Sequence, residues 1–408
     1  MGISSNDRQI LRDLAKRQME LAASERNQRL YQEWMAYGSS KTTVRPLIRI
    51  ELRTFAHQLM PAMQRCEGAE ARAIEQRMLS PIINFTQFED DTLVPDYYAV
   101  KLHTRFVPFG LPVKRQESGG LGHHFIPYLY DLEEDGHLLG PSQHTIDLEG
   151  TLAEEQQAQD LFGDILPVRR ISDAFSCSLM QGIVHIMNMD DMYMAMMDDE
   201  ERFQSMLNRL ADDYLDFFRL QEQQGLVNSH TRMQHLSQGS YCFTNELEEG
   251  VSPAKLSGSW LYMDSQETSG VSPAMYRDLV FPAYAKLMSH FGLISYGCCE
   301  ACHPIWDDCL SKVPNLRKVS ISPWCDEAFM GERLQGTGIT FLRKPPATLL
   351  GMDTPELDEE AVLNCFRKTA QAAKGCKLEI AQRDVYMVGG SAEKVRRYVE
   401  LARKGLEG

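Results

Sequence analysis

Residues 293–326 read LISYGCCEACHPIWDDCLSKVPNLRKVSISPWCD and hold five of the ten cysteines of the chain. Two apolar, β-branched segments, LISY and LRKVSIS, flank a stretch long enough for one helix, so the run reads as strand, helix, strand. Side chains on a strand alternate with period two. Carrying that alternation onward puts Ile294, Tyr296, Cys298 and Glu300 on one side, and Ser295, Gly297 and Cys299 on the other. Trp324, Cys325 and Asp326 fall at the end of the next strand, which lets Cys298 and Cys325 meet. Polar groups just beyond parallel strands are where a barrel enzyme keeps its active centre.

Two readings of this sulfur are open. Thiolates with a carboxylate suit a soft divalent cation, zinc first, with Cys298, Cys299, Glu300 and Cys325 as candidate ligands. The spacing matches no closed structural zinc site, because no paired C-x-x-C follows. The other reading makes them reduced, buried cysteines acting as small apolar residues. Cys302 and His303 are expected beside the site; Cys66, Cys177, Cys242, Cys309, Cys365 and Cys376 are assigned to structure.

Outward from this run, strands alternate with helices. Strands are expected at Val44–Leu52, Ile183–Met187, Tyr241–Asn245, Ser259–Met263, Gly338–Leu342 and Lys377–Val388. Helices are expected from Phe203 to before Gly225, and over Met275–His290, Asp358–Ala373 and Glu393–Lys404. The fold class that follows is α/β, a (β/α)8 TIM barrel over residues 44–408 with a helical N-terminal arm at 1–43. A strand-rich insertion at about 85–160 includes PIINFTQF, YYAVKLHTRFVPFGLPV and HHFIPYLY, with Asp131–Asp160 as a solvated connection. An open doubly wound sheet is the alternative. The G-x-G-x-x-G, P-loop and G-x-S-x-G patterns are missing, which argues against dinucleotide, P-loop and nucleophile-elbow chemistry.

Composition narrows the partners. Net charge is -15, from 42 Lys and Arg against 57 Asp and Glu, with the basic residues scattered, so nucleic acid is not expected. No apolar run reaches the ~18 residues of a membrane helix. Ten cysteines without an apolar leader fit a reducing, cytoplasmic setting. Met189–Met197 carries five methionines, read as adaptable core filling or as lining for a large, flat ligand. No apolar face is resolved well enough to argue a dimer.

Trp260, the Asp264–Glu267 run, SPAMYRDLVFPAYAKL at 272–287, SYGCCE at 295–300 and SPW at 322–324 together resemble the uroporphyrinogen decarboxylase superfamily, in particular its divergent anaerobic members. The resemblance implies a (β/α)8 barrel with its site at the C-terminal face. It also implies a relation to zinc-dependent methyltransferases that move a methyl group between a corrinoid protein and a thiol. An R-Q-A-G-R-like run is absent, so porphyrinogen decarboxylation itself is not expected. Where those methyltransferases carry His-x-Cys, Tyr296 takes the histidine place and Cys298 keeps the cysteine; the last strand offers Asp384 and Tyr386 instead of a cysteine.

The expected roles follow from the resemblance. Glu300, Asp384 and Tyr386 are the catalytic candidates, and Trp260, Asp264, Gln266, Tyr296, Trp324 and Arg343 the substrate-binding ones. Zinc would hold an acceptor thiol as thiolate, and a corrinoid on a partner protein would bring the methyl group. The competing functions are a metal-free decarboxylase or lyase of a small carboxylated substrate, and a non-catalytic binding protein on the same fold.

Overall fold

The computed structural model describes residues 2–40, 45–117 and 123–407. Its centre is a sheet of seven parallel strands with helical crossovers. These are β1 (Leu47–Ile50), β8 (Phe175–Cys177), β9 (Trp260–Met263), β10 (Leu293–Tyr296), β11 (Leu316–Ile321), β12 (Thr340–Arg343) and β13 (Lys377–Gln382). They lie in the order β1-β13-β12-β11-β10-β9-β8. Parallel neighbours need a crossover of a dozen residues or more; between β10 and β11 the expected helix is corrected to two short 3-10 turns, His303–Ile305 and Leu310–Lys312. Among the described residues the ladder does not close into eight strands.

The opening has a chemical reason. Asp90–Val94 runs beside β1, and the Asp91 N–H donates to the Ile48 carbonyl over 2.7 Å. The amides of Ile48 and Ile50, however, donate to the carboxylates of Asp91 and Asp90, at 2.7 and 2.8 Å. Side-chain oxygens thus take the bonds that a paired strand's carbonyls would accept. Expected closure of the barrel is corrected to an open, barrel-like sheet.

The two faces of the sheet are distinct. Ile294, Tyr296, Val319 and Phe341 join a large apolar core with helix residues such as Tyr276, Tyr284 and Phe366. On the opposite face a loop near residues 235–241 is inserted against polar strand residues. Arg49 donates to the Gly239 carbonyl at 2.8 Å, and Lys318 to the Ser240 hydroxyl at 2.6 Å and to Glu379 at 2.8 Å. A Cβ on Gly239, at φ +79°, would stand 3.1 Å from the Ala381 Cβ, so this close approach favours glycine. The segment expected as a strand at Tyr241–Asn245 belongs to this plug and makes only an isolated bridge, His235 with Tyr241.

The N-terminal arm consists of α1 (Ser5–Ala22) and α2 (Glu25–Ser39), each capped by a serine hydroxyl, Ser4 and Ser24. Leu11 and Ala15 of α1 pack into an apolar cluster with the helices Ala69–Ile83 and Leu148–Phe162. Trp34 of α2 is fully buried and donates its indole N–H to the Asp91 carbonyl at 2.8 Å.

The insertion holds β2 (Tyr98–Lys101), β3 (His103–Val107), β4 (Arg115–Glu117), β5 (His123–Phe125) and β6 (Gln143–Asp147), and with β7 (Val168–Ile171), which lies beyond its expected end, they pair two by two. The Gly119–Gly122 turn lies outside the described residues. Three local expectations are corrected. PIINFTQF is the end of a helix continuing as a π turn, and Ile183–Met187 overlaps the helix Leu179–Val184. Asp131–Asp160 contains β6 and most of a 15-residue helix whose N-cap is Asp147. In the first two, tertiary packing of a short apolar stretch overrode its β-branched composition; in the third, the Asp147 cap starts a helix that buries Ala158, Leu161 and Phe162. The five methionines are divided: Met192 and Met196 are buried, whereas Met189, Met194 and Met197 are exposed. Among the described residues no helix is long and apolar enough to cross a membrane.

Candidate active site at the carboxyl ends of the strands

Strand β10 stops at Tyr296, because Gly297 takes a φ of +101° that strands do not use. The period-two reading therefore fails beyond this point. Cys298 and Cys299 end up as neighbours in space as well as in sequence, with sulfurs 3.6 Å apart. The Cys299 sulfur lies 3.7 Å from an oxygen of Asp384, itself at a φ of +58° just past β13.

Lys344 follows β12 and is buried. Its ammonium donates to the carbonyls of Cys298 and Gly297, at 3.0 and 3.3 Å, and to the Gln238 amide oxygen. The Cys298 thiol is lowered below its ordinary pKa by hydrogen bonding from Cys299, helped by the Lys344 charge and opposed by burial. Hydrogen bonding to Cys298 raises Cys299 correspondingly. Burial lowers Lys344.

Three carboxylates stand beside the thiols. Asp264 accepts from the Tyr262 hydroxyl at 2.6 Å, and its other oxygen has no partner among the described residues. Glu267 likewise keeps one buried oxygen without a partner there. Burial first, and Asp264 among the further causes, pushes the carboxyl groups of Glu267 and Glu300 up to about 7 each.

Glu300 does not face a ligand. Its two oxygens accept the backbone N–H groups of Ser265 and Cys298, at 2.9 and 2.8 Å, so it ties the loop after β9 to the loop after β10. Cys325 turns to Cys302: its sulfur accepts the Cys302 backbone N–H at 3.2 Å. Among the described residues no three of His, Cys, Asp and Glu gather as a metal-holding group. The donor set expected for zinc, Cys298, Cys299, Glu300 and Cys325, is thus divided between a bridging carboxylate and two separate thiol pairs. That arrangement does not fit a tetrahedral zinc site.

Strand parity also redistributes the substrate candidates. Tyr296 is fully buried on the helix side, its hydroxyl 2.7 Å from that of Tyr276. Arg343 points the same way, paired with Glu327 at 2.6 Å and donating to the Ile321 carbonyl at 3.0 Å. Trp260 opens β9 and packs with Leu236, Cys242 and Leu293, at the strand end opposite the cluster. Asp264 belongs to the cluster, and Gln266 contacts Glu267 at 3.4 Å. Trp324 and Tyr386 are 75 % and 45 % exposed, forming rim rather than wall. Sequence reasoning missed Lys344, Gln238 and Arg383. Lys344 had a signal, since it is the residue after Arg343 and so lies on the other face.

A cavity of about 750 Å³ opens next to the cluster, lined by Gln238, Arg383 and Glu51 and extending past Arg49 to Lys101 and Arg77. Arg49, Arg53, Arg77, Lys101 and Arg383 give its lining a cationic character.

No known protein family matches the sequence, and no curated protein matches it. Among solved structures, a methyltransferase from Methanosarcina mazei matches with a TM-score of 0.53 and 12% identity, over 93% of this chain and 99% of that one. The fold is therefore shared with that methyltransferase along nearly the whole length of both chains.

Proposed function

We propose that this chain is an enzyme that transfers a methyl group to a small-molecule acceptor, a thiol or a similar nucleophile, at the cluster around Cys298, Asp264, Glu267 and Lys344. The observation that carries this reading is the gathering of paired thiols, part-satisfied carboxylates and a buried lysine beyond adjacent strands of a fold shared with a methyltransferase. Site chemistry at strand carboxyl ends is the general rule for such folds. A relation to the uroporphyrinogen decarboxylase superfamily remains part of the proposal.

The protein's own work is positioning and proton handling. Lys344 and Glu300 hold the Gly297–Cys298 turn rigid, and the unpartnered oxygens of Asp264 and Glu267 are the groups available to accept the acceptor's proton. The acceptor sulfur then forms its bond to the methyl carbon while the bond to the donor breaks, the electron pair staying with the donor. Orientation alone can supply ~7 kcal/mol or more to such a displacement. A methylated corrinoid on a partner protein would supply an electrophilic methyl group. Trp324 and Tyr386, which follow β11 and β13, expose their rings, apolar surface of the kind that a flat macrocycle needs.

The test is methyl transfer from methylcobalamin to a panel of small thiols, read as loss of methyl-corrinoid absorbance and as methylated product. Activity in the wild type that falls at least tenfold in Lys344→Met supports the proposal; none with any acceptor overturns it. A metal-free decarboxylase or lyase is the second reading, favoured by the cationic cavity lining and by two carboxyl groups that titrate near neutrality. Release of carbon dioxide from carboxylated substrates, without methyl transfer, would decide for it.

A further inference from the structure

Cys325 and Cys302 lie outside the chemistry proposed above, yet their surroundings are not those of inert core thiols. Cys302 is fully buried after β10, and Cys325 follows β11, so the two approach each other from adjacent strand ends. The Cys325 sulfur accepts the Cys302 backbone N–H at 3.2 Å and the Ser322 hydroxyl at 3.8 Å. It also immediately precedes Asp326, the N-cap of the helix Glu327–Leu334, where exposed backbone N–H groups favour negative charge.

Two further observations make the pair more than a packing contact. Cys325 opens onto a cleft of about 620 Å³ lined by Glu327, Glu332, Lys368 and Lys374, on the helix side of the sheet. The Cys302 sulfur occupies space that only glycine leaves free: a Cβ on Gly297 would stand 2.9 Å from it. Two donors reach one sulfur at closer range than the Glu300 and Ser320 carbonyls at 3.9 Å, a second cysteine lies against it through its backbone, and a cleft admits a small reagent. This is the environment of a reactive cysteine with a resolving partner.

We propose that Cys325 and Cys302 are a peroxide-reactive dithiol, oxidised to a disulfide by hydrogen peroxide that enters through the cleft beside the helix Glu327–Leu334. The Cys325 thiolate attacks one peroxide oxygen and the O–O bond breaks. The departing oxygen takes up a proton and leaves as water, and Cys325 becomes a sulfenic acid. The Cys302 sulfur then displaces that hydroxyl group; the S–S bond forms, and the Cys302 proton leaves with the hydroxyl as a second water. Two electrons pass from the sulfurs to the peroxide, which ends as two waters.

Oxidation reaches the site through Ser322, whose hydroxyl contacts both the Cys325 sulfur and, at 3.1 Å, the Glu300 carbonyl. That consequence rests on the proposed function; the disulfide does not.

The test treats full-length wild-type protein with one equivalent of hydrogen peroxide at neutral pH, then alkylates it under denaturing conditions and maps its peptides. The expected result is loss of two of the ten free thiols, a 302–325 cross-link, and full reversal by dithiothreitol. Cys302→Ser or Cys302→Ala should stop at a Cys325 sulfenic acid that dimedone captures, while Cys325→Ser should leave Cys302 unmodified. A cross-link at 298–299 instead, oxidation spread over all thiols, or no thiol consumed would each overturn the proposal. The wild-type map decides this even if a variant fails to fold.

Discussion

The ammonium of Lys344 lies 3.0 Å from the carbonyl oxygen of Cys298 and joins the end of β12 to the turn that carries the paired thiols. Its positive charge helps to lower the pKa of the Cys298 thiol. Lys344→Met should therefore raise that thiol's pKa and slow its alkylation by iodoacetamide at pH 7 several-fold. Loss of the donor also leaves buried carbonyls unpaired, at about 1–3 kcal/mol in a urea titration. An unchanged alkylation rate would show that the charge does not reach the sulfur.

Stability should fall as pH rises from 5 to 8. Burial raises Glu267 and Glu300 from 4.5 to about 7, so between those values the folded chain binds more protons than the unfolded one. Their contribution is fully present below the unfolded pKa and is lost as pH passes the folded one, amounting to roughly 3 kcal/mol per group at most. Glu267→Gln cannot ionise, and its urea midpoint should decline less steeply over this range than that of the wild type.

Lys318 and Glu379 form a fully buried ion pair at 2.8 Å beneath the inserted loop. Lys318→Met should destabilise by about 3–5 kcal/mol, because Glu379 is left charged and unpaired. The double variant with Glu379→Gln should recover much of that loss in a thermal melt, and a purely additive result would argue against the pairing.

Tyr296→Phe should cost about 1 kcal/mol through the lost hydroxyl contact with Tyr276, without altering the KM for any substrate. A rise in KM at unchanged stability would return Tyr296 to the pocket.

Zinc binding provides a separate check. The Cys325 sulfur is engaged by the Cys302 backbone N–H, so any zinc affinity measured by titration should be the same in Cys325→Ser as in the wild type. A loss in that variant would mean that the two thiol pairs rearrange around metal.

Much of the scaffold was readable along the chain. The strands at 260–263, 293–296, 316–321 and 340–343 and the helices at 281–288 and 359–372 follow the apolar runs from which they were expected, whereas the helix expected between 296 and 316 is only two short 3-10 turns, His303–Ile305 and Leu310–Lys312. The insertion was harder, because short apolar stretches such as PIINFTQF satisfy helix and strand alike until a neighbour chooses. The site was legible in its region and not in its membership. Cys298, Cys299, Asp264 and Asp384 lie in the cluster; Tyr296 and Arg343 lie on the other face, and Trp260 at the other end.

By itself the sequence determined that strands alternate with helices and that thiols and carboxylates follow the strands, since propensity, period and capping are local properties. Which thiols pair, which face each strand residue takes, and whether the sheet closes were decided by the tertiary structure. A single positive φ at Gly297 breaks the alternation, and two aspartates accept the amides of β1 that an eighth strand would need. Both effects depend on groups far apart in the chain, whose meeting no local pattern encodes.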